Sequence, residues 1–139
     1  MILFMALGST FVCTHCKLSI MAWDEGNPYF LSDAGKKQFF YHPSGEYQLQ
    51  EYIQQSEGRN LEGIELEKFL KKRTGNMSNM ICLDCGREFR RDLNRQKALC
   101  PSRKCKSKNI SHIWELNGKQ CPRCKQGVFK EDESQQIIS

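Results

Sequence analysis

A chain of 139 residues in which 39% are hydrophobic fits one compact domain or two very small ones, and has little apolar material for an unaided core. No run of about twenty apolar residues is present to form a membrane-spanning helix. The formal net charge of +5 admits an anionic partner, but residues 82–125 carry 12 basic and 4 acidic side chains while residues 1–81 carry 8 and 9, so the excess is local.

The apolar start, Met1 to Leu7, lacks a basic leader and is short for a secretory core, so it reads as an edge strand or as an extension ahead of a start at Met5. Phe11 and Val12 before the first cysteine pair, with Ile20, Met21 and Trp23 after it, fit a strand entering a tight turn. Asn27-Pro28 signals a turn. Two aromatic runs, Tyr29-Phe30-Leu31 and Phe39-Phe40-Tyr41, flank Asp33-Ala34-Gly35 and predict a β-hairpin closed by Pro43, Ser44 and Gly45. Residues 1–45 thus form an N-terminal cysteine turn and an aromatic hairpin.

Residues 46–79 change to helical spacing, with Leu49, Tyr52 and Ile53 in one run and Leu66, Phe69 and Leu70 in another, separated by Gly58. Asn60 is a candidate N-cap for the second helix, Lys71, Lys72 and Arg73 suit its negative end, Gly75 its stop, and Asn76 to Asn79 a short linker. Residues 80–129 are rich in cysteine, glycine and proline. Within them Ile113-Trp114-Glu115-Leu116 reads as a strand, and Asn117-Gly118 as a hairpin turn leading to the last cysteine pair. Residues 130–139 form a polar tail.

The eight cysteines fall into four close pairs: Cys13/Cys16, Cys82/Cys85, Cys100/Cys105 and Cys121/Cys124. Two intervening residues let the backbone curl so that both sulfurs face one side of a tetrahedron, and turn amides can point at the sulfurs. Without a secretory signal, clustered cysteines imply a reducing cytoplasm and metal rather than disulfides. Four pairs complete two tetrathiolate sites, predicting two structural Zn²⁺ ions, with iron a chemically competent substitute. His15, His42 and His112 are then unnecessary as ligands. Two zinc tetrathiolates would each add −2, taking the chain to about +1.

The segment CLDCGREF from Cys82 to Phe89, followed by Cys100-Pro101 and Cys105, resembles rubredoxin-like zinc ribbons. The wider pattern, running through WDEGNPYF, YHP, CPSRKC and GKQCPRCKQGVF, is similar to a group of small bacterial and phage zinc-ribbon proteins over about two thirds of the chain. The resemblance implies a small metal-stabilised α+β fold, zinc-ribbon β-hairpins with a helical insertion, and implies no activity. Four residues between Cys100 and Cys105, instead of two, depart from the ribbon pattern. Since a ribbon joins two knuckles across a short hairpin, Cys82/Cys85 with Cys100/Cys105 is favoured. Cys13/Cys16 would then close with Cys121/Cys124. Sequential and interleaved pairings stay open.

Three functions are compatible with these features. Arg87, Arg90, Arg91, Arg95, Lys97, Arg103, Lys104, Lys106 and Lys108 crowd one predicted site and could track a phosphate backbone, or could compensate thiolate charge; Phe89 is the one aromatic nearby for base stacking. Alternatively the aromatics Trp23, Tyr29, Phe30, Phe39, Phe40 and Tyr41, or the helices, present a surface to a protein partner. Catalysis has least support, because closed sites leave no position for water and no HExxH motif or phosphate-binding glycine loop marks a small-molecule substrate.

Overall fold

The structure is a computed structural model that describes residues 7–23, 26–40, 45–55, 60–135 and 137–138. Over the described residues, contacts divide the chain into two units, one within 27–77, the other formed by 7–26 and 78–138; the edge strand expected at Met1 to Leu7 lies, except for Leu7, outside the described residues.

In the first unit, β3 (Asn27–Leu31) and β4 (Lys37–Phe39) pair antiparallel, Tyr29 opposite Phe39. Gly35 turns the hairpin at φ 79°, a conformation that disfavours any Cβ. This is the expected aromatic hairpin; its last predicted residue, Tyr41, and the closing Pro43 and Ser44 lie outside the described residues, as does His42. Two helices follow, α1 (Gly45–Gln54) and α2 (Gly63–Arg73). Phe30, 2% exposed, receives Tyr52 of α1 edge-on at 5.1 Å and Phe69 of α2 at 6.0 Å. Burying one such aromatic contributes about 2 kcal/mol, and Phe30 is the hub of this small core.

Arg73 does more than complement the helix dipole. Its Nε donates to the Leu31 carbonyl at 2.7 Å, Nη2 reaches Asp33 at 2.8 Å, and its guanidinium covers the Phe30 and Phe69 rings at 5.1 and 5.4 Å. The cap of α2 is Glu62 and not Asn60, because the helix starts at Gly63; no side-chain cap bond is made there. Nor does Gly75 stop it. The chain turns extended at Thr74 and continues as β5 (Thr74–Cys82), so the stretch expected to be a linker, 76–79, is strand. Residues 74–77 pair with β3, and the Asn27 amide donates to the Met77 carbonyl at 2.8 Å.

The second unit contains two antiparallel arrays built on the same three-strand plan, one of which carries a fourth short strand. In one, β1 (Leu7–Cys13) pairs with β2 (Ser19–Trp23) and, on its other side, with β8 (Phe129–Glu131) and the short β9 (Ile137–Ile138). In the other, the second half of β5 pairs with β6 (Glu88–Arg91) and β7 (Ile110–His112). The registers coincide. The residue before the first cysteine pairs with Ser19 in one array and Glu88 in the other, six positions beyond that cysteine in both. Cys13 then faces Phe129 and Cys82 faces Ile110, each five positions beyond the last cysteine of the second turn. The core is Phe11, Ile20, Ile81, Ile113, Leu116 and Phe129 packed with Cys13 and Cys121.

The predicted strand at Ile113–Leu116 is instead a 3-10 turn over Ile113–Glu115, with the strand immediately before it. Ile113 and Leu116 both need burial, at 6% and 0% exposure, and a three-residue repeat places them on one side where a strand would place them on opposite faces. A turn forms at Asn117-Gly118, closed by Lys119 N–H donating to the Leu116 carbonyl at 2.9 Å, but it follows a 3-10 turn and not a strand, so the expected hairpin is absent there; Gly118 N–H donates instead to the Phe129 carbonyl at 2.7 Å.

Candidate metal centres

Each first turn is fixed by local hydrogen bonding. Cys13 N–H donates to Leu18 O and Cys82 N–H to Arg87 O, both at 2.9 Å, while Lys17 and Gly86 donate back to the carbonyls of Cys13 and Cys82. The second turns repeat this: Lys125 N–H donates to Cys121 O and Lys106 N–H to Ser102 O, both at 3.0 Å. Ser102 thus takes the place that a first cysteine holds in the other three turns, which explains the four-residue spacing. Two residues are inserted ahead of the turn, and the geometry around Cys105 is conserved. The residue after the last cysteine of each turn is left-handed: Lys17, Gly86, Lys106 and Lys125, with φ of 66°, 82°, 49° and 60°.

The four turns meet in two groups, Cys13/Cys16/Cys121/Cys124 and Cys82/Cys85/Cys100/Cys105, with ligand atoms of each group within 4.8 Å of one another. Of the three pairings open to the sequence, this is the nested one. Sulfur–sulfur distances are 3.6 Å for Cys13–Cys124 and Cys82–Cys105, and 3.7 Å for Cys16–Cys121 and Cys85–Cys100. A tetrahedron of sulfurs at 2.3 Å from an ion has edges of about 3.8 Å, and a disulfide would need about 2.05 Å. Both groups therefore have the geometry to hold a metal ion with four thiolates. Among the described residues no histidine joins either group: His15 is exposed and His112 half-buried on β7.

Backbone amides reach the sulfurs unevenly. His15 and Cys16 N–H point at Cys13 Sγ at 3.4 and 3.5 Å, Cys85 N–H at Cys82 Sγ at 3.4 Å, and Gly127 N–H at Cys124 Sγ at 3.4 Å. Acidity follows. The amides of Gly127 and Gln126 bring the Cys124 thiol down to about 6. Burial pushes Cys82 up, but the amides of Cys85 and Asp84 outweigh it and leave it at about 7. Cys13 is likewise lowered, burial being overcome by the amides of Cys16 and His15. Burial raises Cys100, with the neighbouring thiols adding to it. For Cys105 the amide of Ser107 lowers the thiol, but burial and the three neighbouring thiols carry it to about 12; for Cys16 the amide of Leu18 is overcome in the same way, giving about 11. Each group thus contains at least one thiol made more acidic and at least one that holds its proton, and a divalent cation supplies the charge that lets all four ionise.

Two further features tie the groups into the fold. Gly127 has no room for a side chain: a Cβ there would lie 2.5 Å from Cys13 Sγ and 2.7 Å from His15 N. Lys125 reaches from the first group to the turn of the second, its ammonium donating to the carbonyls of Leu83 at 3.1 Å and Asp84 at 2.5 Å. Asp84 in turn accepts from the Ser107 hydroxyl and, at 3.1 Å, from the Asn109 amide; these bonds and the Lys125 charge hold its carboxyl below the usual range. Neither role was readable from spacing, although Gly127 next to the last knuckle was a signal of close approach.

The basic residues of the second array do not act alike. Arg91 is half-buried, donates to Leu99 O at 3.0 Å and lies over the Phe89 ring at 5.7 Å. Arg95 stands 3.9 Å from the buried Asp92. Arg87, Arg90, Lys97, Arg103, Lys104, Lys106 and Lys108 are exposed. Of the aromatics considered for a partner surface, Tyr29, Phe30 and Phe40 are buried and Trp23 and Phe39 half-buried.

Fold and site together define a small α+β protein with antiparallel sheets and two four-cysteine groups compatible with metal binding. Among the described residues no helix is long and apolar enough to cross a membrane. The chain matches no family model, and no curated protein or solved structure matches it.

Proposed function

We propose that this chain is a non-catalytic module in which two structural Zn²⁺ ions hold the cysteine-bearing unit together and the basic surface around the second centre binds nucleic acid. Four thiolates saturate a tetrahedral ion, which leaves no position for substrate or water and favours a structural over a catalytic metal. The observation that carries the binding role is the exposed series Arg103, Lys104, Lys106 and Lys108 on one turn of the second centre, with Arg87 on the other; among the described residues none of the five makes an ion pair. Cations without an ion-pair partner at that density suit a phosphate backbone. Burial of the hairpin aromatics weakens the protein-adaptor alternative, whose remaining support is exposed Tyr47 and Ile64 on the helices.

The test is a salt series with duplex and single-stranded DNA and RNA. Engagement of four phosphates gives log–log slopes of about −3 to −4, and Arg103→Glu/Lys104→Glu removes most of the affinity. Absence of binding at low salt would overturn the nucleic-acid reading and leave the adaptor. Native mass spectrometry counts the ions, and the absorption spectrum separates colourless zinc from coloured iron.

A further inference from the structure

An open cleft of about 290 Å³ lies in the second unit between β2, β5 and β6. Trp23 and Met21 come from β2, Phe89, Arg90 and Glu88 from β6, and Asn79 from β5. Such a volume is at the small end of ligand-holding clefts. Its lining residues combine aromatic and apolar ones with Arg90, Asn79 and Glu88, whose side chains carry hydrogen-bonding groups. Trp23 is held flat against Gly8, three of its ring atoms being 3.0 to 3.2 Å from where a Cβ on Gly8 would stand. The Phe89 ring is covered by Arg91 at 5.7 Å, which fixes a second aromatic without filling the cleft.

We infer that this cleft takes one unpaired nucleobase, so that the nucleic acid bound is a single strand. The inference rests on the function proposed above and adds its ligand class. A base inside a duplex has both faces covered by its neighbours, whereas an unpaired base can lie on Phe89, with Trp23 lining the same cleft, while the polar side chains address its edge. Arg90 and the exposed Arg87 on the same hairpin then meet the flanking phosphates. From the sequence, Phe89 was the only aromatic near the basic cluster; the fold supplies Trp23 as the second.

Trp114→Phe leaves Trp23 as the one tryptophan reporter. In that background an unstructured strand of about twelve nucleotides quenches Trp23, and binds roughly 5- to 150-fold more tightly than an abasic sugar–phosphate strand of equal length. Phe89→Ala abolishes that preference and Phe89→Tyr retains it, with metal content by native mass spectrometry confirming that each variant folds. Equal affinity for base-bearing and abasic strands, or a Phe89→Ala variant that weakens both alike, overturns the cleft and leaves the basic-surface reading standing. Failure of both strands to bind at low salt overturns the two together.

Discussion

The Lys125 ammonium donates to the Leu83 carbonyl at 3.1 Å, so a side chain that leaves one cysteine turn closes against the turn of the other centre. Replacing it with Met keeps the stem and removes the donor. Because the contact is solvent-exposed, Lys125→Met costs the metal-loaded protein about 1 kcal/mol, or about 3 °C in melting temperature. Two bound ions and a lowered melt are expected; an unchanged melt would show the bridge to be energetically idle.

Gly127→Ala places a methyl group where Cys13 Sγ and His15 N already stand, at 2.5 and 2.7 Å. The sulfur must leave its tetrahedral position. Native mass spectra should show one ion in place of two, with Cys82, Cys85, Cys100 and Cys105 still protected from alkylation. Two ions at wild-type affinity would refute the packing.

Metal affinity should climb with pH. Cys16, at about 11, and Cys105, at about 12, keep their protons through neutral pH, and an ion must displace them. Each displaced proton makes affinity about tenfold stronger per pH unit. The raised thiols set the sign: the proton is present below their pKa and its displacement becomes easier as pH rises towards it. Chelator competition between about pH 7 and 8.5 measures the slope, and a flat profile contradicts the assignment.

Lys106→Gly relieves a left-handed lysine at φ 49°. Relief of about 1 to 2 kcal/mol, less the greater chain entropy of glycine, leaves a gain of about 0.5 kcal/mol. Denaturant midpoints report it, with Lys17→Gly as the matching change in the other array. Only the first lies in the proposed nucleic-acid surface, so Lys106→Gly alone should also weaken binding of a polyanion.

Much was legible in the sequence where the deciding contacts are local. The aromatic hairpin at Tyr29 and Phe39 and the helical runs around Tyr52 and Phe69 formed where their periodicity placed them. Local signals failed where burial imposed a different geometry. Ile113 and Leu116 both turn to the core through a 3-10 turn, and polar 76–79 became strand because β3 and β6 supplied its hydrogen bonds.

The cysteine spacing by itself determined that tight thiolate turns would form, since a handful of amide and carbonyl groups within seven residues decides each one. Which turns meet was decided only in three dimensions. Pairing of β1 with β8 and of β5 with β7 aligns sulfurs that the chain separates widely, and the same packing brings Trp23 and Phe89 to one cleft and Lys125 to Leu83. Such contacts depend on long loop closure and on the shape of a shared core, neither of which is encoded in any short window of sequence.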